Sequence, residues 1–245
     1  MQLMFGAGSL WGIRTDASGL FTAQKFAVLQ GIQFDFTKNL KELFGSYQMA
    51  IAIGAGTMKT TAKAQQARIN AQRCADLYFG LTPTTGQNLI AEDEAGTVPT
   101  TPFAVTVTNS ATWAHDLGVY YSLTGLPLTR VAAEETPTTG QYKVTAGVYT
   151  FAAADTGLAV LINYVYTAVT GKTLTLTNQL LGITPTFQGW FKGLYNGKQM
   201  TLKLTNCVSS KLSIPLKMED WTISEFDFQM SVDASNTLGV LTTAE

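Results

Sequence analysis

The chain has few charged side chains and no excess of basic ones. Charged residues make up 13% of its 245 residues, and lysine plus arginine (16) nearly balance aspartate plus glutamate (17). An ordinary soluble domain contains about 25% charged residues, so much of this surface is expected to meet protein rather than water. Proteins that hold nucleic acid through counterion release need clustered basic residues. The composition therefore argues against a protein that grips DNA, although contact with DNA without tight binding stays open.

Cysteine and histidine are also scarce. Two cysteines, Cys74 and Cys207, exclude a disulfide framework, and with the single histidine, His115, they cannot supply the paired ligands of a zinc site. His115 beside Asp116 is more typical of a local hydrogen bond than of a catalytic base. No G-x-S-x-G motif presents a nucleophilic serine. The acidic run at 92–94 lacks the alternation of a calcium loop and indicates a solvated loop. We expect no enzyme, no cofactor and no metal site.

Long hydrophobic segments are absent too. The longest apolar run, at 158–169, is interrupted by Asn163 and is too short for a bilayer core of about 30 Å. Residues 1–8 lack the positive region and apolar stretch of a secretory signal. The sequence predicts a soluble, non-secreted chain.

Apolar and polar residues alternate along much of the chain, as in half-buried antiparallel strands. The alternation is clear at 32–37 and 200–204. Asn196-Gly197 tolerates the positive φ of a type I′ turn and predicts a hairpin between strands at 187–195 and 198–204. Between Trp221 and Val232 the alternation changes phase near Ser224 and Glu225, which predicts a β-bulge.

One helix is predicted near residue 70, with Gly80 as its end. Mostly small residues at helical spacing form a narrow stripe that lets a helix lie close on a sheet. The stripe consists of Ala67, Ala71, Cys74, Ala75 and Tyr78, and the residues expected on or beside the solvent side are Arg68, Gln72, Arg73 and Asp76.

A change of composition predicts an inserted domain. We expect a main domain at 1–85 and 171–245 and an all-β insertion at 86–170. The hexapeptide Thr-Pro-Thr-Thr-Gly-Gln occurs at 82–87 and 136–141; it is too short to indicate a duplicated domain, and its first copy begins a polar, turn-rich joint that ends at Pro99. Short segments at regular spacing favour a small β-sandwich; they lie at 103–108, 117–121, 141–144, 147–151 and 158–167.

Residues 40–53 carry an unusual apolar load between two predicted strands. Leu43, Phe44, Tyr47 and Met49 lie around Gly45. A segment this apolar usually docks on something, and the sequence allows either the protein's own core or another molecule. The glycine-containing stretch at 54–59 does not have phosphate-loop spacing and predicts a turn between strands.

The order of several segments resembles the major tail tube proteins of tailed bacteriophages. In the N-terminal part they lie at 32–36, 41–45, 50–56, 59–64, 68–71 and 77–80, and in the C-terminal part at 197–202, 207–215, 219–221, 225–228 and 238–240. The middle resembles a small β module of phage virion proteins, at 140–142, 147–151, 154–157 and 160–167. No single motif is diagnostic, but the order extends over residues 5–81 and 172–245.

The resemblance implies a mainly β fold, an antiparallel sandwich or barrel flanked by one α-helix, with no catalytic residues. It implies six-fold rings that stack into a tube, a conduit for DNA ejection, in a virion tail assembled in the host cytoplasm. The implied partners are further copies of the chain, tail sheath or terminator and baseplate proteins, the tape measure protein and DNA without sequence-specific binding, and no membrane.

Within such a tube, polar strand faces are candidates for the bore. Because DNA carries one charge per about 1.7 Å of axis, a basic bore would hold it and a polar or mildly acidic bore would let it slide. We expect the bore at Asp35, Glu225 and Asp227, with Lys59 and Lys63 beside them or pointing outward; the acids can equally face solvent or pair with these lysines between subunits.

Contact between successive rings is expected at the apolar stretch defined by Leu43, Phe44, Tyr47 and Met49. The insertion is expected outside the tube, since a bore sized for a duplex has no room for it. Two other readings stay open: a tail terminator or baseplate ring of related fold, and, from a different class, a carbohydrate-binding β-sandwich module.

Overall fold

The computed structural model describes residues 6, 8–16, 21–26, 28–216 and 218–244. The expectation drawn from residues 1–8 therefore lies largely outside the described residues. The protein is mainly β, with antiparallel sheets and one helix, and this fold class confirms the prediction from alternation. The chain forms two compact units, Met1–Pro83 with Leu174–Glu245, here the main unit, and Thr84–Thr173, here the inserted unit. The predicted insertion, 86–170, has slightly different bounds.

The main unit contains eight strands and one short helix among its described residues. The elements are β1 (Ser9–Arg14), β2 (Gln24–Lys25), β3 (Leu29–Phe44), β4 (Ala50–Gln66), α1 (Ala71–Cys74) with a π-helical continuation (Ala75–Phe79), β12 (Thr186–Tyr195), β13 (Lys198–Ser213), β14 (Ser224–Ser231) and β15 (Gly239–Thr242). Seven of these strands follow the path β2-β1-β12-β13-β14-β4-β3, and the eighth, β15, pairs with β13 beside this path.

This sheet is folded over on itself. Four strand spacings of about 4.8 Å each separate β3 from β12 along the hydrogen-bonded path, yet the Phe34 and Phe191 rings lie 5.4 Å apart. The two layers share one core, in which Phe187 of β12 contacts Phe228 of β14 at 5.4 Å. The apolar members of each alternating strand therefore face inward, and the polar members form two outer faces.

The hairpin and the bulge predicted in the C-terminal part have different outcomes. Asn196 and Gly197 have φ of 46° and 77°, and Tyr195 pairs with Lys198, so the tight hairpin is confirmed. The prediction of a bulge near Ser224 is wrong, because residues 221–223 precede the strand and β14 starts at Ser224 in regular register with β4. The change of phase marks the start of the strand.

The helix differs from the predicted one in length and in its buried face. It begins after Asn70, whose side chain accepts the backbone N–H groups of Gln72 and Arg73, so Ala67 lies outside it. Ala71, Cys74, Ala75 and Tyr78 lie within it, and Gly80, with φ of 66°, ends it as predicted.

The π-helical continuation, with i to i+5 bonds, turns other residues toward the core than the stripe predicts. Leu77 is fully buried, and the Cα of Gly12 lies so close to it that a side chain there would collide. Arg73 and Asp76, expected toward solvent, are buried as well. Arg73 donates to Gln66 Oε1 and lies over the Phe26 ring, and burial lowers its pKa.

The inserted unit contains two sheets around one buried cluster. Its strands are β5 (Thr84–Thr97), β6 (Ala104–Thr106), β7 (Trp113–Tyr121), β8 (Thr129–Arg130), β9 (Gln141–Thr145), β10 (Val148–Phe151) and β11 (Ala159–Thr173), with 3₁₀ turns at Ser110–Thr112 and Ala153–Asp155. The sheet orders are β5-β11-β7 and β6-β10-β9-β8, and aromatic residues such as Tyr142, Tyr149 and Tyr164 fill the core between them.

The prediction of a polar, turn-rich joint that ends at Pro99 is wrong, because strand β5 occupies most of these residues. This strand pairs with β11 from Thr84 to Thr97, so its polar residues are the outward half of a paired strand.

The acidic run at 92–94 is not a solvated loop either. Glu94 accepts hydrogen bonds from Thr108 and from the Tyr164 hydroxyl at 2.6 Å. Burial raises its pKa, but these bonds outweigh burial and lower the pKa below its ordinary value.

Asp116 is part of a buried hydrogen-bond network in the inserted unit. Its buried carboxylate accepts hydrogen bonds from the Tyr142 hydroxyl at 2.8 Å and the Tyr149 hydroxyl at 3.0 Å, with Arg130 at 3.5 Å. Burial, together with the charge of Asp116, raises the pKa of Tyr142. His115 is exposed, and the carboxylate beside it in sequence is bonded to the two tyrosines.

Candidate assembly surfaces

An apolar arm projects from the main unit. β3 and β4 pair from Leu29 to Phe44, but β14 pairs with β4 only between Thr61 and Gln66. Residues 38–58 therefore form a two-stranded ribbon, here the arm, roughly 25–30 Å long at about 3.4 Å per residue. A ribbon of two strands is marginally stable alone in water.

The arm exposes large apolar side chains on both strands and at its tip. Tyr47 and Met49, in the turn, are 85% and 84% exposed; Leu43 and Phe44, at the end of β3, are 62% and 56% exposed. Ile51 and Ile53 of β4 are exposed as well. In the part of the chain that the structure describes, these side chains therefore do not dock on the protein's own core, which was one of the two interpretations of the sequence. The turn predicted at 54–59 is wrong, because these residues continue β4 and the reversal lies at 45–49.

A mixed-charge face covers the outer side of β3, β4 and β14. Cross-strand partners share a face of a sheet, and the register places Asp35 opposite Thr61, Lys59 opposite Thr37, and Lys63 opposite both Gln33 and Asp227. The intervening residues of β4 and β14, such as Ala62 and Phe228, are buried. The five residues predicted for the bore therefore lie on one face of the main unit.

Glu225 is the centre of an ion-pair cluster on the mixed-charge face. Its carboxylate lies 2.8 Å from Lys63 Nζ and 3.3 Å from Lys211 Nζ, and it accepts a bond from Gln65 Nε2 at 3.3 Å. The bonds from Lys63, Gln65 and Lys211 lower the pKa of Glu225 to about 2. Of the three predicted acids, Glu225 thus pairs with lysines of its own subunit. Lys211 was not predicted, because a register shift between Ser209 and Lys211 conceals its face in the alternation.

Replacing Lys63 with methionine is expected to raise the pKa of Glu225 from about 2 toward its ordinary value, because the closest positive charge is removed. The folded-state pKa lies below that of the unfolded chain, about 4.3, so the cluster stabilises the fold above that pH and ceases to do so as the pH falls toward 2. Carboxyl NMR titration of the unassembled chain measures the shift. Lys59→Met, which removes a lysine from the same face, is the control; an equal shift there would contradict the assignment to Lys63.

The mixed-charge face has balanced charge. Three acids, Asp35, Glu225 and Asp227, stand with Lys59, Lys63 and Lys211. Gln33 Nε2 donates to Asp35 at 2.9 Å, and in the described part of the chain Asp227 Oδ1 is buried without a hydrogen-bond partner. Such a face attracts a polyanion weakly, since the counterion release that drives tight binding needs an excess of cations.

The sheet of the main unit also leaves strand edges open. β3 is the last strand in the sheet order, and among the described residues β15 pairs with β13 alone. Unpaired backbone donors and acceptors on an edge strand pair readily with another chain. The arm and these edges are the surfaces with which this unit can assemble.

No protein-family model matches the chain, and no curated protein sequence matches it. Among the described residues, no group of three or more histidine, cysteine, aspartate or glutamate side chains is placed to hold a metal ion. None of the helices in the described ranges is long and apolar enough to span a bilayer. A functional inference therefore rests on these surfaces and on the resemblance of the sequence.

Proposed function

We propose that this chain is the structural subunit of a phage tail tube, a virion protein whose rings stack into a conduit for DNA ejection. The observation that carries the proposal is the arm, whose exposed apolar side chains are not covered by any other part of the chain that the structure describes. The resemblance of the sequence to major tail tube proteins supplies the form of the assembly, rings of six copies, and its partners, the sheath or terminator, baseplate and tape measure proteins.

The arm supports lengthwise stacking. A projecting arm on one side of a subunit and its docking surface elsewhere on the next subunit make a heterologous contact, which generates an open filament when it does not close. Leu43, Phe44, Tyr47 and Met49 are the proposed contact residues between successive rings. The open edges of β3 and β15 are the proposed sites of pairing within a ring.

The mixed-charge face is the proposed lining of the bore. Its three acids and three lysines are close to neutral in sum, and paired charges such as Glu225 with Lys63 present little net field to a passing duplex. A bore of this kind contacts DNA without sequence-specific binding. DNA can then slide because few condensed counterions are released on contact.

Electron microscopy of the purified protein tests the proposal. At high concentration, or with its natural initiation complex, the chain should form hollow rods built of six-fold rings. A monodisperse monomer under these conditions would overturn the proposal. Single rings that do not elongate would instead indicate a terminator or baseplate ring of related fold.

Excision of the inserted unit is expected to spare rod formation. Thr84 and Thr173 are cross-strand partners, so their Cα atoms lie about 5 Å apart and a short linker can join Pro83 to Leu174. The arm and the mixed-charge face stay intact because both belong to the main unit. Circular dichroism checks the remaining β structure, and microscopy should show rods with an unchanged bore. Folded subunits without rods would show that the insertion contacts neighbouring copies.

A further inference from the structure

The main unit has a marked asymmetry of charge between its strands. No aspartate or glutamate occurs in β1, β2, β12, β13 or β15, although these strands carry six cations. The cations are Arg14, Lys25, Lys192, Lys198, Lys203 and Lys211. In contrast, β3, β4 and β14 hold both signs. The unit thus has a basic part whose charges are not balanced on the same strands.

Two tryptophans lie among these cations on one outer face. Trp11 of β1 is the cross-strand partner of Trp190 of β12, and they are 38% and 36% exposed. Lys25 Nζ lies 5.4 Å from the centre of the Trp11 ring, and Lys203 Nζ lies 5.2 Å from that of Trp190. Lys192, exposed, follows Trp190 on the same side of β12. We name these five residues the Trp/Lys patch.

The connection between β13 and β14 has the complementary chemistry. Leu216, Met218 and Trp221 are 83%, 98% and 86% exposed, and Glu219 between them is exposed as well. Asp220 Oδ1 accepts the backbone N–H of Trp221 at 2.8 Å; Lys217 lies outside the described residues. A short segment therefore presents carboxylates together with large apolar side chains, and no other described residue of the chain covers them.

We propose that the β13–β14 connection of one copy docks on the Trp/Lys patch of a second copy. The Glu219 carboxylate contacts the ammonium groups of Lys203 and Lys192, and Met218 and Trp221 pack on the two indoles, since both sulfur and aromatic rings pack favourably on aromatic side chains. Charge complementarity fixes the register of such a contact. The inference rests on the self-assembly proposed above and adds to it a contact that does not involve the arm.

The second copy fits this patch better than nucleic acid does. Three lysines are a short basic track for counterion release, whereas the patch matches a short segment in which two exposed acids, Glu219 and Asp220, are flanked by apolar side chains. Donor and acceptor lie at different places of the main unit, so a bound copy still offers its own patch to the next one. Contacts of this heterologous kind close into rings or continue as filaments.

A charge exchange between the two surfaces tests the inference. Lys203→Glu and Glu219→Lys, each alone, are expected to weaken self-association of the full chain by about tenfold or more, because like charges then face each other. The double variant should recover to within about threefold of the unaltered chain. Analytical ultracentrifugation measures association, and circular dichroism verifies the fold of each variant. Lys198→Glu, on the same strand as Lys203 but outside the patch, is the matched control and should associate normally.

Several outcomes would overturn the inference. Single variants that associate like the unaltered chain, or a double variant as weak as the singles, would exclude the contact. Binding of a 20-nucleotide DNA that is lost in Lys203→Glu and unaffected by Glu219→Lys would assign the patch to nucleic acid. If the unaltered chain assembles and the exchange fails, the docking is wrong and the tube proposal stands; if the unaltered chain does not associate at all, the tube proposal itself fails.

Discussion

Subunits in which Phe44 is replaced by aspartate are expected to fold normally but fail to elongate into rods. Phe44 is 56% exposed near the tip of the arm, so the substitution removes little packing from the isolated chain. In a stacked contact the new carboxylate would lose water without a partner, which costs several kcal/mol. An elongation equilibrium should therefore weaken by about a hundredfold or more. Negative-stain microscopy and light scattering at equal protein concentration measure the effect.

Val232→Asp is the matched control for Phe44→Asp. Val232 is 50% exposed and follows β14 near the base of the arm, at the end opposite to the tip that carries Phe44, so it receives the same new charge at similar exposure. Rods of ordinary length are expected from this variant. Rods of ordinary length from Phe44→Asp would show that the arm does not form the contact between successive rings.

Truncation of Phe226 to alanine is expected to have the largest effect on stability. Phe226 is 2% exposed, and its ring lies 5.3 Å from that of Phe26 and 6.0 Å from that of Phe228. It also contacts Tyr78 of the helix and Phe187 of β12. Loss of a buried phenyl ring costs about 3–5 kcal/mol, so the main unit should open about a hundred to a few thousand times more often.

Hydrogen exchange can assign this effect to one unit. Peptides from β14 should exchange faster in Phe226→Ala by the factor above, whereas peptides from β11, in the inserted unit, should be unchanged. The measurement is best made with Phe44→Asp present, so that assembly does not protect the amides. Phe36→Ala, which truncates a side chain that is 49% exposed, is the control. A similarly small change in both variants would mean that the aromatic cluster does not hold the sheet layers together.

The arm illustrates what can be predicted from sequence patterns and what cannot. The apolar load around Gly45 was visible in the sequence, and so was the question whether it docks inside or outside. Its exposure depends on where β14 stops pairing with β4, at Thr61, which is a long-range fact. For the same reason residues 54–59, which contain two glycines, were predicted as a turn although they continue a paired strand.

An identical hexapeptide also adopts different structures at two places in this chain. Thr-Pro-Thr-Thr-Gly-Gln at 82–87 enters strand β5, whereas the copy at 136–141 lies in a loop that leads into β9. The first copy is extended from Thr84 onward because β11 pairs with it there. Local turn chemistry was the same in both places and could not distinguish them.

The sequence by itself determined the mainly β class, the Asn196-Gly197 hairpin and the end of the helix at Gly80, because alternation and the tolerance of positive φ act over a few neighbouring residues. It also grouped Glu225 with Asp227 on one strand face. Only the tertiary structure decided that Lys63 and Lys211 pair with Glu225, that Leu77 is the buried anchor of the helix, and that the arm is bare. These features depend on register between strands far apart in sequence and on one π-helical turn, and neither is specified by the spacing of nearby residues.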